Sequence, residues 1–108
     1  MAYLDGRLWP TWYAPQMRRP AFEVIGLVCR RFGYSKEDVL GPRRHANLMG
    51  PRAVITRILK DRGHSYPMIG RMLGGRDHST IMHCLDNFDV YARRDERVQP
   101  IYQEMRYV

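Results

Sequence analysis

The sequence of 108 residues has few acidic side chains and almost no lysine. Eleven Asp and Glu residues stand against 18 Lys and Arg residues, so the formal net charge is +7. Arginine supplies 16 of the 18 basic residues, and its planar guanidinium forms paired hydrogen bonds to phosphate and to the guanine edge. The shortage of negative charge favours an anionic partner such as a nucleic acid, although a solvated basic surface would have the same composition.

Several motifs are missing as well. The string Gly-x-x-x-x-Gly-Lys-(Ser/Thr) does not occur, which excludes a phosphate-binding loop of that type within these residues. No signal peptide and no stretch of about 20 apolar residues is present, so we expect a single cytoplasmic domain with no membrane partner. The two cysteines, Cys29 and Cys84, lie in apolar helical patterns, and we expect both to be buried and reduced.

The excess of positive charge is confined to one window of the sequence. Between Arg43 and Arg76 there are eight basic residues and a single acid, Asp61, whereas acids and bases balance outside this window. A localised basic field attracts phosphate and releases counterions, which makes affinity fall steeply with salt. We therefore expect this window to contain a nucleic-acid contact surface.

A glycine turn followed by a polar tip is the most informative segment. Residues 74–81 read Gly-Gly-Arg-Asp-His-Ser-Thr-Ile and lead directly into an apolar-periodic helix. The glycines permit a tight turn, and the polar residues after them can cap a helix. In helix-turn-helix proteins the first residues of the second helix meet base edges in the major groove. The candidate DNA contacts in this segment are Arg76, Asp77, His78, Ser79 and Thr80.

The roles of these side chains can be distinguished by their chemistry. Asp77 can accept a hydrogen bond from a cytosine amino group, while His78 and Ser79 can bond to neighbouring base edges and Thr80 to a phosphate. Asp77 can instead act only as a helix cap, because both tasks use the same oxygens. The sequence leaves these two interpretations of Asp77 open.

Catalytic and metal sites are not indicated. Asp77, His78 and Ser79 are the residue types of a hydrolase triad, but neighbours at a helix start cannot form the relay geometry. The four histidines include no His-x-x-x-His pair, and His83 and Cys84 would project about 100° apart on a helix. We therefore expect no enzyme activity, no metal and no cofactor.

Two further motifs lie upstream of residues 74–81. Residues 65–73 read Ser-Tyr-Pro-Met-Ile-Gly-Arg-Met-Leu, and Arg43-Arg44 and Pro51-Arg52 precede them. Together with residues 74–81 they resemble the C-terminal DNA-binding domain, domain IV, of the bacterial replication initiator DnaA. The resemblance covers about residues 21–88, with one short length difference near Gly63. Since the ATPase loop is missing, we expect a stand-alone copy of the DNA-reading domain.

The resemblance implies a fold and a set of contacts. The fold is all-α, with five to six helices and a Trp-repressor-like helix-turn-helix. By position in the motifs, Arg44 enters a minor groove, Arg52 and Lys60 touch phosphate, and Pro67 approaches a thymine methyl group. A narrow A·T-rich minor groove has a strong negative potential that attracts a guanidinium. Pro67 can equally be a simple helix starter.

This sequence also departs from the family pattern. Ala46 and Gly50 stand where further loop arginines are frequent, Ala53 replaces a polar phosphate-binding residue, and Asp86-Asn87 replace a basic pair. Each lost phosphate contact weakens binding and flattens its salt dependence. We therefore expect weaker binding by a monomer.

Hydrophobic periodicity and chain breakers divide the sequence into three segments: an aromatic and basic arm over residues 1–20, the helix-turn-helix domain over 21–94, and a C-terminal helix over 95–108. The arm can pack on the body, form a homodimer or enter a minor groove. The last helix can close the core or pair with another chain. Within the domain we expect helices over residues 21–32, 35–40, 51–62, 65–73 and 78–93, with Arg52, Arg57 and Lys60 on the outward side of the third.

These observations predict sequence-specific binding to A·T-rich double-stranded DNA in the cytoplasm, at the nucleoid. The protein would regulate transcription or modulate replication initiation by competing for DnaA sites. The alternative is a protein-interaction module that keeps the fold and binds a replication or transcription protein.

Overall fold

A computed structural model describes residues 19–43 and 45–108, together with two short strands near the N-terminus. The strands β1 (Tyr3–Leu4) and β2 (Arg7–Leu8) pair antiparallel, with Tyr3 opposite Leu8. The rest of residues 1–18 and the loop residue Arg44 are outside this description. The predicted roles of the arm and of Arg44 therefore fall outside the described residues.

The described part of the body contains seven helices, and the expected all-α class is confirmed. The helices are α1 (Ala21–Phe32), α2 (Lys36–Leu40), α3 (Ala46–Asp61), α4 (Tyr66–Met72), α5 (His78–Asp86), α6 (Phe88–Arg94) and α7 (Val98–Met105). The expected number was five to six. The additional helix arises because the predicted reading helix is divided in two.

Local signals position the first two helices as predicted. Pro20 precedes α1, and Gly33 ends it with a φ of 83°, a left-handed conformation that favours glycine. The Oγ of Ser35 accepts a hydrogen bond from the backbone N–H of Asp38 at 3.1 Å and so caps α2. These helices supply one wall of the core, which includes the buried Cys29.

Helix α3 is at the centre of the body and packs against the other six described helices. Full burial of one aliphatic side chain contributes about 1.5–3 kcal/mol to stability relative to leaving it exposed. The aliphatic residues of α3 that are fully buried are Ala53, Val54, Ile55, Ile58 and Leu59. This helix is therefore the support against which the remaining helices are positioned.

Helix α3 begins earlier than expected, at Ala46 instead of Pro51. Proline removes one helical N–H, so a position inside a helix is normally unfavourable. Here Gly50 and Pro51 lie in the core, and a Cβ on Gly50 would be 3.3 Å from Val98 Cγ2. Packing against α7 therefore outweighs the local preference of proline for a helix start.

The reading helix ends at Asp86, so the prediction of one helix to Arg93 is wrong. The carbonyl oxygen of His83 accepts from the Asn87 backbone N–H at 3.1 Å and from Asn87 Nδ2 at 2.8 Å. Such competition between a side chain and the backbone disfavours continuation of a helix. Phe88 then starts α6 and is buried in the core.

The C-terminal helix α7 closes the core, as one of the two sequence interpretations expected. Ile101, Tyr102 and Met105 are buried against α1 and α3. The Tyr102 hydroxyl donates to the Asp61 carboxylate, and the guanidinium of Arg57 is 5.3 Å from the Tyr102 ring centroid. Arg57 is therefore half-buried, although the sequence placed it on the outward side of α3.

Burial raises the pKa of both cysteine thiols, to about 11 for Cys29. Both thiols are free and buried, which confirms the expectation of buried cysteines. None of the described helices is long and apolar enough to cross a lipid bilayer.

Candidate nucleic-acid interface

The turn between α4 and α5 is built on three glycines. Gly74 and Gly75 have φ values of 78° and 80°, which L side chains rarely adopt. The carbonyl oxygen of Gly70 accepts from the N–H groups of Gly75 and Arg76 at 2.9 and 2.8 Å. A Cβ on Gly70 would be only 2.1 Å from the Arg76 carbonyl oxygen. The glycine pattern therefore places the first turn of α5 directly against the end of α4.

Residues 77–80, here called the tip, form one exposed turn at the start of α5. Asp77 caps the helix: its Oδ2 accepts from the Ser79 N–H at 3.3 Å and from the Ser79 hydroxyl. The side chains of Asp77 and His78 are 65% and 59% exposed, and Ser79 and Thr80 are also exposed. Four of the predicted contact residues are thus brought together on one accessible surface.

The carboxylate of Asp77 has an altered acidity because of this cap. Hydrogen bonds from Ser79 stabilise the charged form and hold the pKa of Asp77 below its ordinary value. Oδ1 is 3.5 Å from His78 Nδ1, and both hydrogen bonds from Ser79 go to Oδ2. The capping role of Asp77 is confirmed, and the contact with a cytosine stays a prediction.

The start of α4 presents an apolar position beside a cation. Ser65 Oγ accepts from the Met68 N–H at 3.3 Å, and Pro67 is exposed in the first turn of the helix. The Lys60 ammonium lies 4.2 Å from the centroid of the Tyr66 ring, an attractive arrangement of a cation and an aromatic face. Pro67 is therefore a helix starter as expected. Its thymine contact and the phosphate contact of Lys60 stay predictions.

Arg52 does not lie on the outward side of α3, so that expectation is wrong. The residue is only 4% exposed. Its Nε donates to the Val39 carbonyl oxygen at 2.8 Å, and its Nη2 donates to the Gly41 and Asp38 carbonyl oxygens at 3.0 and 3.3 Å. The spacing could have revealed this, because Arg52 precedes the buried Ile55 by three residues and therefore shares its face.

Arg76 also donates hydrogen bonds to the end of α2 and to Gly41. Its Nη2 donates to the Gly41 carbonyl oxygen at 2.7 Å, and its Nη1 donates to the carbonyl oxygens of Leu40, at 3.3 Å, and Leu73. Burial lowers the pKa of Arg52 and of Arg76, and the charge of Arg76 lowers that of Arg52 further. We call Leu40, Gly41, Arg52, Leu73 and Arg76 the junction. For Arg76, unlike Arg52, nothing in the sequence pattern indicates these contacts.

A cleft of about 580 Å³ lies beside the junction, between residues 40–43 and α5. Arg43, Asp77 and Thr80 line its polar side, together with His83 from the second turn of α5. The guanidinium of Arg43 is 3.7 Å from the Asp38 carboxylate and remains 65% exposed. We call residues 41–45, which join α2 to α3, the basic loop; the cleft extends from Arg43 of this loop to the tip. Across the described ranges no three His, Cys, Asp or Glu side chains are grouped as metal ligands.

Comparison with known proteins identifies the same region. The family described as bacterial DnaA protein helix-turn-helix matches residues 22–87. The chromosomal replication initiator protein DnaA of Thermomicrobium roseum is 35% identical over 77 residues, which cover 70% of this chain and 17% of that protein. The corresponding protein of Nitrobacter hamburgensis is 37% identical over 74 residues, 68% of this chain and 16% of the relative. The chain therefore spans less than a fifth of the length of these relatives, and the matched region includes both the junction and the tip.

Proposed function

Because the chain belongs to the bacterial DnaA helix-turn-helix family, we propose that it binds double-stranded DNA sequence-specifically, at A·T-rich sites like those of the DnaA initiator. The observation that carries this proposal is the exposed tip at the capped start of α5. A helix N-terminus in this setting can enter a major groove, where each base pair presents a distinct pattern of donors and acceptors.

The tip supplies chemically distinct contacts for such a groove. The imidazole of His78 and the hydroxyl of Ser79 bond to base edges, and the hydroxyl of Thr80 bonds to phosphate. Asp77 accepts from a cytosine amino group through Oδ1, the oxygen that the cap leaves available. Pro67 contributes an apolar contact to a thymine methyl group from the exposed first turn of α4.

The basic loop makes the second set of contacts. Arg44 enters the adjacent minor groove, where an A·T-rich sequence concentrates negative potential. Lys60 neutralises phosphate, and the exposed guanidinium of Arg43 adds to the positive field beside it. We expect the protein to act in the cytoplasm, at the nucleoid, as a regulator of transcription or a modulator of replication initiation that competes for the initiator's sites.

The test is fluorescence-anisotropy titration of a labelled DnaA-box duplex and a scrambled duplex, at two salt concentrations. A specific reader should prefer the box by roughly 1,000-fold or more. Its affinity should fall steeply with salt, because phosphate contacts release counterions. Equal binding to the two duplexes would contradict the proposed specificity.

Complementary variants distinguish a DNA reader from a protein-interaction module. Arg44→Ala and His78→Ala should each lower the box preference by roughly 10- to 100-fold, whereas deletion of residues 1–20 should leave it largely intact. The reverse result, with the arm essential and both side chains dispensable, would favour the interaction module instead.

A further inference from the structure

The junction connects the two parts of the proposed DNA-binding surface through a pair of adjacent carbonyl groups. The Gly41 oxygen accepts from both arginines, Arg76 at 2.7 Å and Arg52 at 3.0 Å. The Leu40 oxygen accepts from Arg76 at 3.3 Å. Residues 42–45 follow Gly41 in the chain, and the tip follows Arg76. A displacement of Leu40 and Gly41 relative to α5 must therefore break hydrogen bonds from charged donors, which are stronger than bonds between neutral groups.

The backbones of the two segments also meet at the junction. A Cβ on Gly74 would be 2.0 Å from the Leu40 carbonyl oxygen. No larger residue fits between the glycine turn and the end of α2 without moving one of them. The contact thus has two independent parts, the Arg76 hydrogen bonds and the close approach of Gly74.

The arginines of the junction differ in their partners from the exposed arginines of the same sequence window. Within the described residues, neither Arg52 nor Arg76 has an acidic side chain within ion-pair distance, and their guanidiniums donate to carbonyl oxygens and to the Met49 sulfur. Arg43 and Arg71, by contrast, are exposed. A guanidinium that donates to three carbonyl oxygens fixes the relative position of the segments that carry them.

We infer that Arg76 is a positioning residue for DNA recognition and does not itself read a base. It holds Leu40 and Gly41, where the loop between α2 and α3 begins, at a fixed distance from the tip. It thereby sets the spacing that the protein accepts between the minor-groove and major-groove parts of its site. This inference rests on the proposed function, since the spacing matters only if both segments contact one duplex.

The test is the tolerance of binding to one inserted base pair. One base pair is inserted at each successive step of a DnaA-box duplex, and the affinity of every duplex is measured for the wild type and for Arg76→Gln. The wild type should lose roughly 10- to 100-fold in affinity at the step between its two contact segments, as expected for a misplaced contact. Arg76→Gln should bind the uninterrupted box more weakly and should show a clearly smaller insertion penalty.

Arg71→Gln is the matched control, because it removes the same charge from an exposed position of the same motif. It should keep the wild-type insertion penalty. Gly74→Ala alters the same junction without changing any charge and should reduce the penalty as Arg76→Gln does. If Arg76→Gln fails to fold, Arg76→Lys replaces it, since an ammonium keeps the charge but cannot span the three carbonyl oxygens.

Two results would overturn the inference while leaving the proposed function intact. One is an insertion penalty that stays at the wild-type value in Arg76→Gln and Gly74→Ala although affinity or melting temperature falls, which indicates a purely structural role. The other is a loss of discrimination at a single base pair in Arg76→Gln, which indicates a base reader. Absence of any box preference in the wild type would remove the proposed function and this inference with it.

Discussion

The junction and the tip adjoin each other at Arg76 and Asp77, but they satisfy their polar groups in opposite ways. At the junction, Arg52 and Arg76 donate to carbonyl oxygens at the end of α2 and at Gly41, and Arg52 is buried while Arg76 is partly buried. At the tip, His78 and Thr80 are exposed. Two arginines thus hold the geometry of the junction, and smaller polar groups of the tip are left available for a ligand.

The same contrast is visible in the ionisable groups. Burial lowers the pKa of Arg76, whereas hydrogen bonds from Ser79 lower the pKa of the exposed Asp77. Burial disfavours the positive charge of Arg76, which the folded protein nevertheless keeps, whereas the hydrogen bonds from Ser79 stabilise the negative charge of Asp77. A window of positive charge in the sequence does not by itself show which of its arginines are accessible to an anion.

The largest effect should follow from loss of the buried guanidinium at the junction. Arg52→Met should lower the free energy of unfolding by about 3 kcal/mol, because three carbonyl oxygens lose a charged donor in a buried setting. Urea denaturation measures this change. Arg71→Met, at an exposed position, should stay within about 0.5 kcal/mol of the wild type. A loss below about 1 kcal/mol in Arg52→Met would show that water replaces the guanidinium at the carbonyl groups.

A somewhat smaller effect is expected where the backbone of α4 meets the tip. Gly70→Ala should cost about 2 kcal/mol, because its Cβ would be 2.1 Å from the Arg76 carbonyl oxygen. Gly26→Ala is the matched control in α1, with nothing within 4 Å of its Cβ, and should stabilise the helix by about 0.5–1 kcal/mol. Equal effects in thermal unfolding would contradict the close approach.

Features set by neighbouring residues could be predicted from the sequence. The caps Ser35, Ser65 and Asp77 each accept from an N–H two or three residues ahead, so their motif is sufficient. The start of α3 at Ala46 depends on packing against α7, which no local signal encodes. The division of the reading helix depends on competition for the His83 carbonyl, a choice that propensity alone does not decide.

The candidate site could be predicted in part for the same reason. The tip follows from a contiguous motif, and the structure keeps its four side chains on one exposed turn. The charge of Arg52 favours an exposed position, but its spacing from Ile55 places it on the buried face of α3. The hydrogen bond from Arg76 to Leu40 joins residues 36 positions apart, so it forms only in the tertiary fold.

Removal of the imidazole at the tip should affect DNA and leave stability unchanged. His78→Ala should lower affinity for the box by roughly 10- to 100-fold, the cost of a lost base contact, while the melting temperature stays close to that of the wild type because the side chain is exposed. Anisotropy and thermal unfolding measure the two quantities. His83→Ala is the matched control further along α5, and a comparable loss there would extend the contact surface beyond the tip.

The smallest effect concerns acid stability. The pKa of Asp77 is below its ordinary value of 3.8 in the folded state, so its contribution is complete above the unfolded-state pKa. That contribution is lost as pH falls through the folded-state pKa. Asp77→Ser keeps a capping oxygen without an ionisable group. The variant should match the wild type near pH 7 and show a smaller fall in melting temperature between about pH 5 and pH 2.

The share of Asp77 in this acid response is limited, because other carboxylates act in the same direction. The pKa of Asp95 is lowered by hydrogen bonds from Arg97, which lies 2.8 Å away, and that of Glu104 by Arg31. Asp95→Asn should therefore reduce the acid response independently, and the double variant with Asp77→Ser should reduce it further. An acid response in Asp77→Ser equal to that of the wild type would mean that the cap depends on a hydrogen-bonding oxygen alone, and the negative charge at the tip would then be available to a cytosine.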